Sequence, residues 1–171
     1  FIHGDLHGGN LMAVEDGTLA VFDAGLTTAL RPDMAQPFGY FLQALCAGTV
    51  DRVVDKLVEF CDQGPRNAAD TAGLRSDIDK LMGQFVSADG LRAPGGAPIN
   101  MGELVGAILA IVQRRHMQLR GDVAVTIMTM AISESLIRSL DPDFDLVKEA
   151  LPYFVRYRSW RPQHTDLTSS A

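Results

Sequence analysis

Cysteine is nearly missing from the chain: there are two among 171 residues, Cys46 and Cys61. So few exclude a disulfide-stapled scaffold and a cysteine-based zinc site, and leave two buried free thiols in a reducing compartment as the reading. Lysine occurs only at Lys56, Lys80 and Lys148. Fifteen Lys+Arg stand against 21 Asp+Glu, a formal charge of −6 with His neutral. An acidic chain with no basic block excludes nucleic acid as an expected partner. Long apolar runs are missing too. Leu104 to Val112 and Val123 to Ile132 are the longest, well short of the roughly 20 residues that cross a bilayer. Both read as core helices, and no transmembrane segment is expected. The first residue is Phe1, not Met, and Phe1-Ile2 reads as the end of a strand. The expectation is the C-terminal part of a longer protein without a secretory leader, cytoplasmic, with any membrane association supplied by segments outside this chain.

What is present suits one globular unit: 47% hydrophobic and 21% charged residues. Leu11-Met12-Ala13-Val14 and Leu19-Ala20-Val21-Phe22 are short apolar runs around Asp16-Gly17, the pattern of a β-hairpin. The remainder predicts helices. One opens at Pro32-Asp33 with Phe38, Phe41, Leu42 and Leu45 on one face, its start left open by Pro37. A second is capped by Thr49 and runs through Cys61 to a stop at Gly64-Pro65; a third spans about Asp70 to Val86. Ser87 to Pro98 reads as an exposed loop. Helices near Met101–Leu119 and Asp122–Leu140 follow, and Asp143 is placed to cap a last one from Phe144 to Tyr157. Residues 1–25 (loop and hairpin) and 33–157 (helical bundle) thus make one mainly α unit with a short β-hairpin, and 158–171 a polar tail.

The informative string is His3-Gly4-Asp5-Leu6-His7-Gly8-Gly9-Asn10, with Asp23-Ala24-Gly25 after the hairpin. Phosphoryl transfer asks a protein mainly for positioning and for neutralisation of phosphate charge. Mg²⁺ takes hard oxygen ligands, which the Asp23 carboxylate and the Asn10 amide can supply. Asp5, five positions before Asn10, is the candidate to orient an attacking hydroxyl and accept its proton. The hairpin between Asn10 and Asp23 would bring both ligands to one end of its strands. Gly8 and Gly9 would let backbone approach phosphate or metal, and Gly25 completes the Asp-x-Gly triplet. Taken singly, Asp5 and Asn10 read as turn residues. His3 and His7, four apart, could be a metal pair only on a helix, which Gly8-Gly9 opposes; His3 is expected to bond backbone near Asp23 and hold the loop. His116 and His164 read as surface or satisfied-core histidines.

The string His-Gly-Asp-Leu-His-x-Gly-Asn resembles the aminoglycoside phosphotransferase and choline kinase group and the atypical kinases of the ABC1/ADCK/UbiB family. Ser139-Leu140-Asp141-Pro142-Asp143-Phe144-Asp145 resembles the Leu-Asp-Pro-x-Phe segment of the latter and favours it. The resemblance covers residues 1 to about 157. It implies the C-terminal lobe of a protein-kinase-like fold, with Asp5 as catalytic-loop Asp, Asn10 and Asp23 as metal ligands, and ATP with Mg²⁺ as substrate and cofactor. A link to isoprenoid quinone biosynthesis, and ATPase or small-molecule kinase activity, are implied likewise.

Departures from the family pattern are Gly8 where Pro is usual and Ala24 where protein kinases carry Phe. A nucleotide-clamping loop, its Lys and Glu partners and a Lys-x-Gly-Gln helix would all lie upstream of Phe1. The isolated chain is therefore expected to be inactive or weak, with an apolar surface around Phe1, Ile2, Leu11 and Val21 where an N-terminal lobe would pack. The acceptor is expected to be small or lipid-like. A small-molecule phosphotransferase, which would need an acidic pocket for an aminated substrate formed by the helices after Asp23, and a non-enzymatic pseudokinase module are the competing readings; the Asp141 to Asp145 cluster resembles such a pocket but reads as a helix cap.

Overall fold

Three-residue strands β2 (Leu11–Ala13) and β3 (Leu19–Val21) form the expected hairpin, following β1 (Ile2–His3) and a 3-10 turn at Gly8–Asn10. Its loop closes through Gly17 N–H to Val14 O at 2.9 Å, with Gly17 at φ 83°. That left-handed position in the hairpin loop is one glycine takes without steric cost. The computed structural model describes residues 2–28, 31–87, 90–91 and 97–157. Strand β4 (Thr27–Thr28) then pairs antiparallel with β1, His3 opposite Thr27. The segment carrying Asp5 and the segment after Asp23 are thereby sewn together.

The helices are α1 (Pro32–Cys46), α2 (Val50–Glu59), α3 (Ala68–Phe85), α4 (Met101–Arg114), α5 (Gly121–Leu140) and α6 (Leu146–Tyr157). Consecutive helices α1 to α2, α2 to α3, α3 to α4 and α4 to α5 pack on one another, and α6 returns to α1. Phe41 and Phe60 meet edge-on at 5.5 Å between ring centroids, with Phe38 at 6.2 and 6.1 Å from them. Leu45, Leu57, Leu74, Ile78, Leu104 and Ile108 complete the buried centre. Each such side chain contributes roughly 1.5–3 kcal/mol on burial.

Several element boundaries differ from the sequence expectations. Helix α1 begins at Pro32 and runs through Pro37, because burial of Met34, Phe38 and Phe41 on one face outweighs one missing backbone bond. Thr49 precedes α2 without a side-chain cap; its N–H instead bonds Ala44 O at 2.9 Å, with Gly48 at φ 64°, closing α1. Helix α2 stops at Glu59, and Cys61 lies in β5 (Cys61–Gln63), which pairs with β8 (Gln118–Leu119). That pairing also shortens α4 to Arg114. Two-residue strands β6 (Val86–Ser87) and β7 (Gly90–Leu91) pair where a loop is expected; residues 88–89, 92–96 and the tail 158–171 lie outside the described residues. Asp145, not Asp143, caps α6, accepting Lys148 N–H at 3.0 Å.

Helix α5 is long and apolar enough to cross a membrane by length and composition alone. The sequence runs considered above stop at its polar residues; the helix does not. Its Glu134 is 2% exposed and accepts Met101 N–H at 2.9 Å and Gly102 N–H at 2.6 Å. Arg138 closes the arrangement, with Nε 3.1 Å from Glu134 Oε1 and a second nitrogen donating to Ile99 O. A buried carboxylate thus satisfies the first donors of α4 and ties α5 to its N-terminus.

Candidate functional site

His3 is the organising side chain of the loop. Its Nδ1 accepts Asp5 N–H at 3.2 Å, and its Nε2 stands 3.3 Å from Phe22 O. This pairing requires the tautomer with hydrogen on Nε2. One imidazole therefore bridges the backbone at Asp5 to the residue just before Asp23. The contact is the one expected of His3 from the sequence. Gly4 N–H donates to Leu26 O at 2.7 Å, and a Cβ at Gly4 would stand 3.1 Å from Leu26 Cγ. A larger residue there would push β1 and β4 apart.

Asn10 ends the 3-10 turn. Its Nδ2 donates to Asp5 O at 3.0 Å, and its carbonyl accepts Phe22 N–H at 2.8 Å. Asn10 is therefore opposite Phe22 at the open end of the hairpin, one residue from Asp23. Asp23 has φ 52°, a left-handed conformation that Asp tolerates better than most residues. Its Oδ1 accepts Gly25 N–H at 3.2 Å, and a Cβ at Gly25 would come within 2.9 Å of that oxygen. Glycine there is what lets the carboxylate fold back on the chain.

His7 caps the 3-10 turn through Nδ1, which accepts Gly9 N–H at 3.0 Å. The other ring nitrogen faces Asp5 Oδ2 at 3.6 Å. Both histidines thus spend Nδ1 on backbone, and neither forms a metal pair with the other. The close approaches at Gly8 and Gly9 are made by neighbouring side chains: a Cβ at Gly8 would stand 3.2 Å from Leu136 Cδ1, and one at Gly9 2.9 Å from His7 Cε1. The loop therefore rests on α5.

The residues fit a divalent cation in donor chemistry. Asn10 uses its amide nitrogen on Asp5 O, so its Oδ1 remains for a ligand; Asp23 keeps Oδ2 beside the bonded Oδ1. Hard oxygens of this kind are what Mg²⁺ takes. Among the described residues no group of three or more His, Cys, Asp or Glu could hold a metal, so any cation here relies on the amide and on oxygens of a bound substrate.

Around the site, Met12, Leu19, Val21, Phe22 and Leu26 are all exposed. Val21 matches the expected apolar surface, whereas Leu11 is half-buried and the side chains of Phe1 and Ile2 lie outside the described residues. Sequence reasoning missed the buried pair of Glu134 and Arg138 between α5 and the start of α4. Their signal was available: an acid and a base four apart within an apolar helix.

The comparisons with known proteins are distant ones. The chain is 27% identical over 170 residues to an uncharacterised protein of Synechocystis sp., covering 99% of the chain and 24% of that protein. A second uncharacterised Synechocystis protein is 24% identical over 156 residues, 91% of the chain and 26% of the relative. An uncharacterised chloroplastic aarF domain-containing protein kinase of Arabidopsis thaliana is 24% identical over 159 residues, 91% of the chain and 21% of the relative. The chain spans about a quarter of the length of these relatives. No protein-family model matches it, and no solved structure does.

Proposed function

We propose that the chain is the catalytic-lobe part of an ABC1/ADCK/UbiB-type atypical kinase or ATPase acting on ATP with Mg²⁺. The observation that carries this reading is the single bonded unit of His3, Asp5, Asn10 and the backbone at Phe22, which brings the Asn10 amide and the Asp23 segment to one end of a hairpin. The distant likeness to an aarF domain-containing kinase supports it. Mg²⁺, held by Asn10 Oδ1 and the Asp23 carboxylate, would neutralise charge on the transferring phosphate. Asp5 orients the attacking hydroxyl or water and takes its proton. His7 Nε2, facing Asp5, supports the carboxylate on its other side.

The acceptor in this reading is water or a small, lipid-like molecule. Between Gly25 and the start of α1 at Pro32 lie only residues 26–31, of which Thr27–Thr28 are held in β4 against β1. So short a connection favours a small acceptor over an extended peptide. The acidic pocket required of an aminoglycoside- or choline-type enzyme is weakened: Asp141 accepts Asp143 N–H at 3.2 Å and Asp145 caps α6. A role in quinone biosynthesis follows from the resemblance alone.

The test is to express the chain with the coding sequence that precedes Phe1 and supply Mg-ATP with a peptide library and, separately, a membrane lipid extract. ATP hydrolysis or lipid-dependent transfer that disappears in Asp5→Asn is expected. Robust peptide phosphorylation lost in the same variant would overturn the acceptor assignment.

A further inference from the structure

We infer that a second site, for a phosphate-bearing anion, lies at the C-terminal end of α4. A pocket of about 240 Å³ opens there, lined by Arg66, Asp70, Arg114, Arg115 and His116 with the Gly64-Pro65 turn. None of these residues belongs to the loop or hairpin described above. The loop approaches Leu136 of α5, whereas the pocket is built on the last turn of α4 and the segment after β5.

The pocket is assembled by the β5–β8 pairing. Gln63 stands opposite Gln118 in antiparallel register, so the residues leaving β5 and those entering β8 emerge side by side. Arg115 is held in place: its Nε and Nη2 lie 2.9 and 2.8 Å from Asp77 Oδ2. Gly73 makes room for it, since a Cβ there would stand 2.5 Å from Arg115 Nη1. Arg114 is only 3.7 Å from Asp77 and 67% exposed. The Arg66 guanidinium has no partner among the described residues, although its backbone N–H donates to Asp70 Oδ2. Three arginines, Arg66, Arg114 and Arg115, thus line the pocket with one carboxylate, Asp70, while Asp77 outside it pairs with Arg114 and Arg115.

The backbone at the end of α4 brings a further side chain to the pocket. Helix α4 closes with His116 N–H on Gln113 O and Met117 N–H on Val112 O, and His116 has φ 55°. At the same position of the same motif, α1 uses Gly48 at φ 64°. Glycine is the residue that adopts this conformation without strain. Histidine enters this region more readily than most side chains, and here it adds an imidazole to the rim of a basic pocket. The planar forks of arginine match phosphate oxygens, which favours a phosphomonoester or diphosphate over a carboxylate. The group could be carried by a soluble ester or by a lipid headgroup.

The test is calorimetric titration of the full chain with inorganic pyrophosphate in EDTA, which silences the metal-dependent site. A parallel arm uses phosphatidate vesicles against phosphatidylcholine vesicles. Binding of pyrophosphate that falls about tenfold in Arg66→Ala or Arg114→Ala, and is unchanged in Asp23→Asn, is the expected result. Added binding to phosphatidate vesicles, sensitive to the same variants, would identify the headgroup as the source. His116→Gly should bind more weakly yet melt no lower than the parent, because the backbone strain is relieved. No binding in either arm, or equal binding by the folded Arg66→Ala/Arg114→Ala double variant, would overturn the site.

Discussion

The side-chain amide of Asn10 donates to the backbone carbonyl of Asp5 at 3.0 Å, so the candidate metal ligand and the candidate base are parts of one hydrogen-bonded turn. Because the nitrogen is committed, the amide oxygen is turned the other way. Asn10→Ala removes both the brace and the oxygen. It should weaken Mg-nucleotide binding tenfold or more, at a stability cost of about 0.5–1.5 kcal/mol. Nucleotide titration paired with thermal melting separates the two effects. A large loss of stability with unchanged binding would assign Asn10 a structural role alone.

Glu134 and Arg138 tie α5 to the start of α4. Glu134→Ala leaves Arg138 without its carboxylate and two α4 amides without an acceptor. A cost of roughly 3–5 kcal/mol is expected, which is about 6–20 °C in melting temperature for a chain of this size. Melting of purified variants checks this. Glu134→Gln, which keeps acceptor capacity but loses the charge, should fall between Glu134→Ala and the parent.

The hairpin and the Asp5, Asn10 and Asp23 spacing were legible because a turn sequence and a fixed order of polar residues are local signals. Helices α3 and α5 were legible to within two residues through their apolar spacing. The pairings β1–β4 and β5–β8 were not, since two or three residues carry no periodicity and their partners are 24 to 58 positions away. Missing β5–β8 led directly to the overlong second and fourth helices. The basic pocket was hidden for the same reason: Arg66 and Arg114 to His116 are adjacent only once those strands pair.

Both thiols are half-buried and free. Burial pushes Cys46 and Cys61 each up to about 11, with Asp145 and Asp62 respectively adding to the effect. The thiolate is thus disfavoured in the folded state relative to the unfolded one. The stability associated with the protonated thiols is fully present below pH 9 and is lost as pH rises towards 11. Urea midpoints should fall more steeply across that interval for the parent than for the Cys46→Ala/Cys61→Ala variant. Parallel curves would contradict the assignment. Slow reaction with a thiol reagent at pH 7, accelerating on unfolding, is expected as well.

The most direct measurement is electron paramagnetic resonance of Mn²⁺, replacing Mg²⁺, titrated with ATP into the chain expressed with its preceding coding sequence. Parent protein should bind Mn-ATP, and Asp23→Asn should abolish or strongly weaken that binding while circular dichroism and melting stay close to the parent. Undiminished Mn-ATP binding by a folded Asp23→Asn variant would contradict the metal assignment on which the kinase or ATPase reading stands.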